Sequence, residues 1–118
     1  MAKRSMAPTL ITMPSSAKRG EVIEIRVLIQ HPMETGYRRS SEGMMLSRDL
    51  IRRFICRFVD DANAPESEPI FSATLHAAVA ANPLLAFHTV ATVSGTFVFD
   101  WEGDNGFAQT ARASLQVI

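Results

Sequence analysis

The residues best equipped for chemistry are one cysteine, three histidines and a cluster of arginines. Cys56 lies between Phe54 and Phe58 in a segment where apolar and polar residues alternate. A thiol in such a segment is predicted to be buried, with a raised pKa, and to act as a small apolar side chain rather than a nucleophile. A single cysteine also rules out an internal disulfide framework and a cysteine-cluster zinc site.

The histidines give weak support for a metal site. His76 and His88 would lie on neighbouring strands if residues 70–90 form an antiparallel pair, and His31 and Met33 have a spacing compatible with a soft metal. One alternative is therefore a stand-alone small metal- or sulfur-binding protein that uses His31 and Met33, with His88 as a further ligand. Isolated histidines on strands are more often structural, so the favoured expectation is no metal and no cofactor.

Several classes of function are disfavoured by composition and by the motifs that are missing. The sequence has no phosphate-binding glycine loop, no nucleophile elbow and no HExxH motif, so no catalytic residue and no autonomous enzyme are expected. Twelve basic residues balance twelve acidic ones, which argues against nucleic-acid binding. The longest apolar runs are shorter than the ~18 residues that a membrane-spanning helix needs.

Ten of the twelve basic residues are arginine, and six of these fall within twenty positions. The six are Arg38, Arg39, Arg48, Arg52, Arg53 and Arg57. The planar guanidinium group suits carboxylates and other oxyanions and is enriched at protein interfaces. The cluster is interpreted either as a solvated basic face or as one patch that recognises a protein partner or an anionic group.

The elements that must position these residues are short strands. Apolar residues alternate with polar ones most clearly at Ile23, Ile25, Val27 and Ile29, as in a half-buried strand. About seven strands are predicted, over residues 9–13, 21–31, 52–59, 70–76, 84–90, 95–101 and 107–117. The chain is therefore predicted to be all-β, an immunoglobulin-like antiparallel β-sandwich forming a single domain over 1–118, with residues 1–8 as a flexible N-terminal extension.

The connections between these strands differ in character. Asn105-Gly106 predicts a hairpin, and residues 77–83 predict one helical turn that a proline stops. The acidic segment 60–68 is interpreted as a solvated surface loop. Residues 32–47 form a connection longer than most in a compact domain, with an exposed Met44-Met45 pair, and such loops are more often functional or disordered than merely connecting.

Three blocks of the sequence closely resemble the SoxZ family. They span residues 20–36, 69–83 and 94–101, in the order found in the family, and the run His-Pro-Met-Glu-Thr-Gly at 31–36 is the most specific part. The resemblance extends over residues 16–117. The one departure is the acidic segment 60–68, which is longer than the connection expected there.

The resemblance implies a non-catalytic subunit of the bacterial thiosulfate-oxidising Sox system. Such a chain has an immunoglobulin-like sandwich and pairs with SoxY, whose C-terminal-arm cysteine carries covalent sulfur intermediates to the other Sox enzymes. It also implies a periplasmic location, reached by co-export with SoxY because no signal peptide is visible. The predicted partner-binding residues are His31, Pro32, Met33, Glu34, Thr35, Gly36, Arg38 and Arg39. Val22 and Leu28, apolar on the polar side of their strand, are predicted to belong to a docking face.

Overall fold

Alternating apolar and polar residues build two β-sheets in the computed structural model, which describes residues 7–62, 69–76 and 79–118. A 3₁₀ turn at Asp104–Gly106 separates the last two strands. The strands are β1 Thr9–Thr12, β2 Ser16–Ala17, β3 Val22–Ile29, β4 Ile51–Asp60, β5 Pro69–Thr74, β6 Leu84–Val90, β7 Gly95–Gly103 and β8 Ala108–Val117. Among the described residues, no helix is long and apolar enough to cross a membrane.

The two sheets pack as a sandwich. One has three strands in the order β1-β3-β6, and the other has five in the order β2-β8-β7-β4-β5. Neighbouring strands are antiparallel, except that the short β2 runs parallel to β8, with Ser16 opposite Gln116. The predicted immunoglobulin-like β-sandwich is confirmed. The additional strand β2 has two residues and therefore shows no periodicity in the sequence.

All seven predicted strands are present, and each end lies within two residues of its predicted position. The predicted hairpin at Asn105-Gly106 joins β7 to β8, and both residues have the positive φ that such a turn needs. In the segment predicted as a helical turn, Val79 N–H donates to the His76 carbonyl oxygen, and residues 77–78 lie outside the described part of the chain.

Two other predicted segments fall partly on residues that the structure does not describe. Residues 63–68 of the acidic segment lie outside the described chain, and Asp61 and Ala62 beside them are exposed. Residues 1–6 of the predicted extension also lie outside it. Ala7 is held by two hydrogen bonds of 2.8 Å with the Gln109 side chain.

The core is an aromatic layer covered by the apolar face of β3. Phe54 on β4 is fully buried. Four other aromatic rings, from strands next to β4 and from the opposite sheet, have centroids 5.3 to 6.3 Å from that of Phe54: Phe71, Phe87, Phe99 and Trp101. From the three-stranded sheet, Ile25, Val27 and Ile29 are almost completely buried. Aromatic side chains of this size supply the largest share of apolar area in such a core.

Cys56 lies in this core, as the sequence predicts, and is completely buried. Burial raises the pKa of its thiol to about 12, and the nearby Asp100 carboxylate adds to the rise. The thiol is therefore protonated at any physiological pH.

We expect Cys56 to resist alkylation in the native protein at pH 8 and to react fully after denaturation. With a thiol pKa of about 12, only about one native thiol in 10⁴ is ionised at that pH. The unfolded chain ionises at lower pH than the folded one, so the free energy of unfolding should fall as the pH rises above the ordinary range of a thiol. Iodoacetamide labelling followed by mass spectrometry is the measurement, and rapid labelling of folded protein would contradict the buried assignment.

Candidate functional site

The long connection between β3 and β4 is an ordered hairpin, here called the 34–49 hairpin. Glu34 and Asp49 exchange two backbone hydrogen bonds of 2.8 Å, and further along Leu46 N–H donates to the Arg38 carbonyl oxygen at 2.9 Å. Isolated bridges join Glu34 to Asp49 and Arg39 to Met45. Gly43, with φ of +81°, supplies the left-handed conformation that turns the chain at the tip.

His31 lies buried at the base of this hairpin, with 3% of its surface exposed. Its Nδ1 accepts a hydrogen bond from the Met33 N–H at 3.0 Å, and its Nε2 lies 3.6 Å from Asp49 Oδ1. The ring packs edge-on against Phe107, with 5.2 Å between centroids. The His31 backbone is also held, because the Asn82 side-chain oxygen accepts its N–H at 2.9 Å.

Met33 is buried beside it, with 5% of its surface exposed. Its sulfur accepts the Ile51 N–H at 3.3 Å, so the side chain links the hairpin to the start of β4. His31 Nδ1 and Met33 Sδ, two possible ligand atoms for a soft metal, thus each accept a hydrogen bond from a backbone N–H. This geometry gives both residues a structural role and does not support the alternative of a metal site built on them.

The other two histidines are not brought together. β5 and β6 belong to different sheets, so the prediction that His76 and His88 would lie on neighbouring strands is wrong. His88 Nε2 lies 3.4 Å from the carboxylate of Glu24 on β3 instead. Within residues 7–62, 69–76 and 79–118, no group of three or more His, Cys, Asp or Glu side chains is placed to hold a metal ion.

Asp104 fastens the hairpin base to the β7–β8 turn. Its two carboxylate oxygens accept hydrogen bonds of 2.9 Å from Arg48, and one of them also accepts the Leu50 N–H at 3.0 Å. These donors, with the charges of Arg48 and Arg52, hold the pKa of Asp104 below its usual range. Gly103 lets the end of β7 approach the backbone of Leu50 closely, since a Cβ at residue 103 would lie 2.3 Å from the Leu50 carbonyl oxygen.

The exposed side of the 34–49 hairpin carries arginine, tyrosine and methionine. Arg38 forms an ion pair with Glu34, which lowers the pKa of the carboxyl and raises that of the guanidinium. Arg39 donates to the Gly43 carbonyl oxygen at 2.9 Å. Tyr37, 85% exposed, and the exposed Met44 and Met45 lie on the same hairpin. Tyr37 was not among the predicted partner-binding residues, although its position inside the long loop, as the only tyrosine in the sequence, could have indicated it.

The predicted partner-binding residues therefore divide into two groups. His31 and Met33 are buried under the hairpin and present no surface to a partner. The other six are half-buried or exposed: Pro32, Glu34, Thr35, Gly36, Arg38 and Arg39. Their contact with a partner stays a prediction.

The six clustered arginines are distributed over the hairpin, its base and β4. Arg38 and Arg39 lie on the hairpin, while Arg48 and Arg52 surround Asp104 at its base. Arg57, which lies 3.5 Å from Asp100, and Arg53 lie farther along β4 on the five-stranded sheet.

The opposite end of the sandwich has an apolar cavity of about 240 Å³, lined among others by Phe58, Val90 and Leu115.

The described residues form a sandwich of eight strands with a buried thiol and a projecting hairpin, which places the chain in the class of immunoglobulin-like β-sandwiches. The family model described as sulphur oxidation protein SoxZ matches residues 11–114. The chain belongs to the SoxZ family and is a subunit of the Sox system. A search of curated protein sequences finds no significant match.

Solved structures with this fold include enzymes as well as a Sox protein. The chain resembles the superoxide reductase (neelaredoxin) from Ignicoccus hospitalis, with a TM-score of 0.74, 17% identity, and 93% of this chain and 80% of that one covered. It resembles a putative superoxide reductase from Thermotoga maritima, with a TM-score of 0.68, 16% identity, and coverages of 93% and 85%. The sulfur carrier protein SoxY from Chlorobium limicola f. thiosulfatophilum gives a TM-score of 0.58, 12% identity, and coverages of 93% and 78%. At these identities the likeness concerns the fold.

We expect Asp104→Asn to loosen the 34–49 hairpin, because the neutral amide loses the charged pairing with Arg48. Amide hydrogen exchange should accelerate over residues 34–49, and the melting temperature should fall. Because the pKa of Asp104 is lowered in the folded protein, its ionised carboxylate stabilises the wild type at neutral pH. This stabilisation is lost as the pH falls below the ordinary aspartate range.

The matched control is Asp61→Asn, which changes an exposed carboxylate at the other end of β4. Equal exchange rates for the hairpin in both variants would show that Asp104 does not hold it.

Proposed function

We propose that this chain is a non-catalytic partner of SoxY and helps present the sulfur carried by SoxY to the other Sox enzymes. The observation that supports the proposal is the family match over residues 11–114, which includes the sandwich and the whole 34–49 hairpin. The carrier cysteine belongs to SoxY in this proposal. Cys56 is unsuited to that task because its buried thiol, with a pKa of about 12, is neither accessible nor ionised.

The contribution of the chain is then a surface, and the 34–49 hairpin is the part of it that we assign to partner contact. Tyr37, Met44 and Met45 expose large side chains on an ordered backbone, and Arg39 lies beside them. Tyrosine, methionine and arginine are the residue types enriched where proteins bind one another. A backbone fixed by hydrogen bonds loses little entropy when such side chains are covered.

We further propose that the chain works in the periplasm and reaches it together with SoxY. The periplasm is the location that the resemblance to the SoxZ family implies, and the proposed partnership requires that the chain and SoxY work in the same compartment. In the proposal, folding and assembly with SoxY precede or accompany export.

Co-expression with the SoxY of the same organism should yield a stable one-to-one complex. Size-exclusion chromatography with light scattering measures its mass, and a complex with ~800 Å² or more buried per partner should survive dilution to micromolar concentration. Separate elution of the two folded chains would contradict the proposal.

We expect Arg38→Glu/Arg39→Glu to weaken SoxY binding at least about tenfold, since both charges lie on the proposed contact surface. Isothermal titration with SoxY measures the dissociation constant. Arg39→Glu alone keeps the ion pair between Arg38 and Glu34, and inside the hairpin it removes the hydrogen bond from Arg39 to the Gly43 carbonyl oxygen.

The control is Arg19→Glu/Arg112→Glu, which makes the same change in net charge at exposed positions away from the hairpin. If both double variants bind SoxY as the wild type does, the hairpin is not the contact surface, although the partnership itself would stand.

A further inference from the structure

The outer face of the three-stranded sheet is unusually apolar at its two ends. Paired positions across the strands form rows, and the row nearest the 34–49 hairpin consists of Leu10, Leu28 and Leu84. The row at the far end consists of Val22 and Val90. Leu10 and Val22 are 60% and 62% exposed, so these side chains lie open to solvent. Val22 is exposed and Leu28 is half-buried on this outer face, and their place on a docking face stays a prediction.

A narrow charged band separates the two apolar rows. Arg26 and Glu24 follow each other on the outer side of β3, with Arg26 Nε 2.6 Å from Glu24 Oε1, and His88 of β6 lies beside Glu24. The charges thus compensate one another within the face. Covering this band requires no isolated charge to be buried.

The five-stranded sheet has a different outer face. Of the exposed large hydrophobic residues in the described part of the chain, Ile70 lies on its edge strand β5, and none lies on β4, β7 or β8. These strands expose Arg53, Glu102, Thr110 and Arg112 instead. Sheet faces that stay in water alternate polar residues outward, so the apolar rows mark the three-stranded face as one that is covered.

We propose that the outer face of the three-stranded sheet is an interface between two copies of this chain, with the two β3 strands packed antiparallel. A two-fold axis across the strands, between Glu24 and Arg26, places the leucine row of one copy over the valine row of the other. The same axis places Arg26 of each copy over Glu24 of the other. The face is therefore self-complementary in both apolar surface and charge, as a two-fold interface requires.

The other two-fold arrangement of the same face is disfavoured by charge. An axis along the strands would bring leucine over leucine, but it would also bring Arg26 over Arg26 and Glu24 over Glu24. Like charges facing each other across an interface oppose association. The order of residues along β3 thus selects the antiparallel arrangement.

The size of the face sets the strength of the dimer. Leu28 lies six positions after Val22 on β3, so the face is about 20 Å long and roughly 10–15 Å wide. That is smaller than the ~800 Å² per partner typical of stable complexes. The dimer is therefore weak and depends on protein concentration. The inference concerns the chain alone and does not rest on SoxY binding.

Sedimentation equilibrium of the purified chain, from about 10 µM to about 1 mM, tests the proposal across the range expected for a small interface. The wild type should pass from monomer to dimer. Arg26→Glu and Glu24→Arg, each alone, should weaken the dimer at least about tenfold, because each places like charges opposite one another. The control Arg112→Glu on the other sheet should leave it unchanged.

Two further samples separate contact between copies from contact within one copy. The double exchange Glu24→Arg/Arg26→Glu should restore the dimer, and a mixture of the two single variants should form a heterodimer, since one copy then carries two acids and the other two arginines. A wild type that is monomeric at every concentration overturns the proposal. A dimer that is insensitive to Arg26→Glu, or a mixture that fails to associate, overturns it as well.

Discussion

Burial of one phenylalanine connects four strands and both sheets. Phe54 of β4 packs against Phe71 of β5, Phe87 of β6, and Phe99 and Trp101 of β7. Because close-packed rings tolerate little displacement, this contact fixes the distance and the offset between the sheets. Once they are fixed, β3 can bury only one of its faces, and its alternate residues must face outward. The inner aromatic layer thus determines which residues form the outer apolar rows.

The hairpin depends on a second set of contacts, at the end of the sandwich where β3 ends and β4 begins. His31, Met33 and Asp104 each bind backbone N–H groups there, so the 34–49 hairpin has an anchored base while its tip extends into solvent. The run His-Pro-Met-Glu-Thr-Gly at residues 31–36 therefore includes side chains that build the support. The exposed side chains of the hairpin are instead Tyr37 and the residues around the tip.

The sequence was sufficient to predict what depends on neighbouring residues and insufficient for what depends on distant ones. Strand positions, the buried Cys56 and the turn at Asn105-Gly106 follow from local alternation and turn chemistry, and they are confirmed. Sheet partners do not follow from it, since β5 and β6 are consecutive but join different sheets. Local sequence also placed His31 among the predicted partner-binding residues, together with its neighbours 32–39, whereas in the structure its side chain is buried. Its burial depends on Phe107, which is far along the chain.

The first and last described segments of the chain are paired with each other. β2 lies beside the end of β8, and Ala7 is bonded to Gln109, contacts that span about a hundred residues. Loops of that length close slowly, so a fold built on them forms late. During synthesis, β8 is the last of the described strands to emerge. The five-stranded sheet therefore cannot close until β8 is available, and until then the aromatic layer is only partly covered.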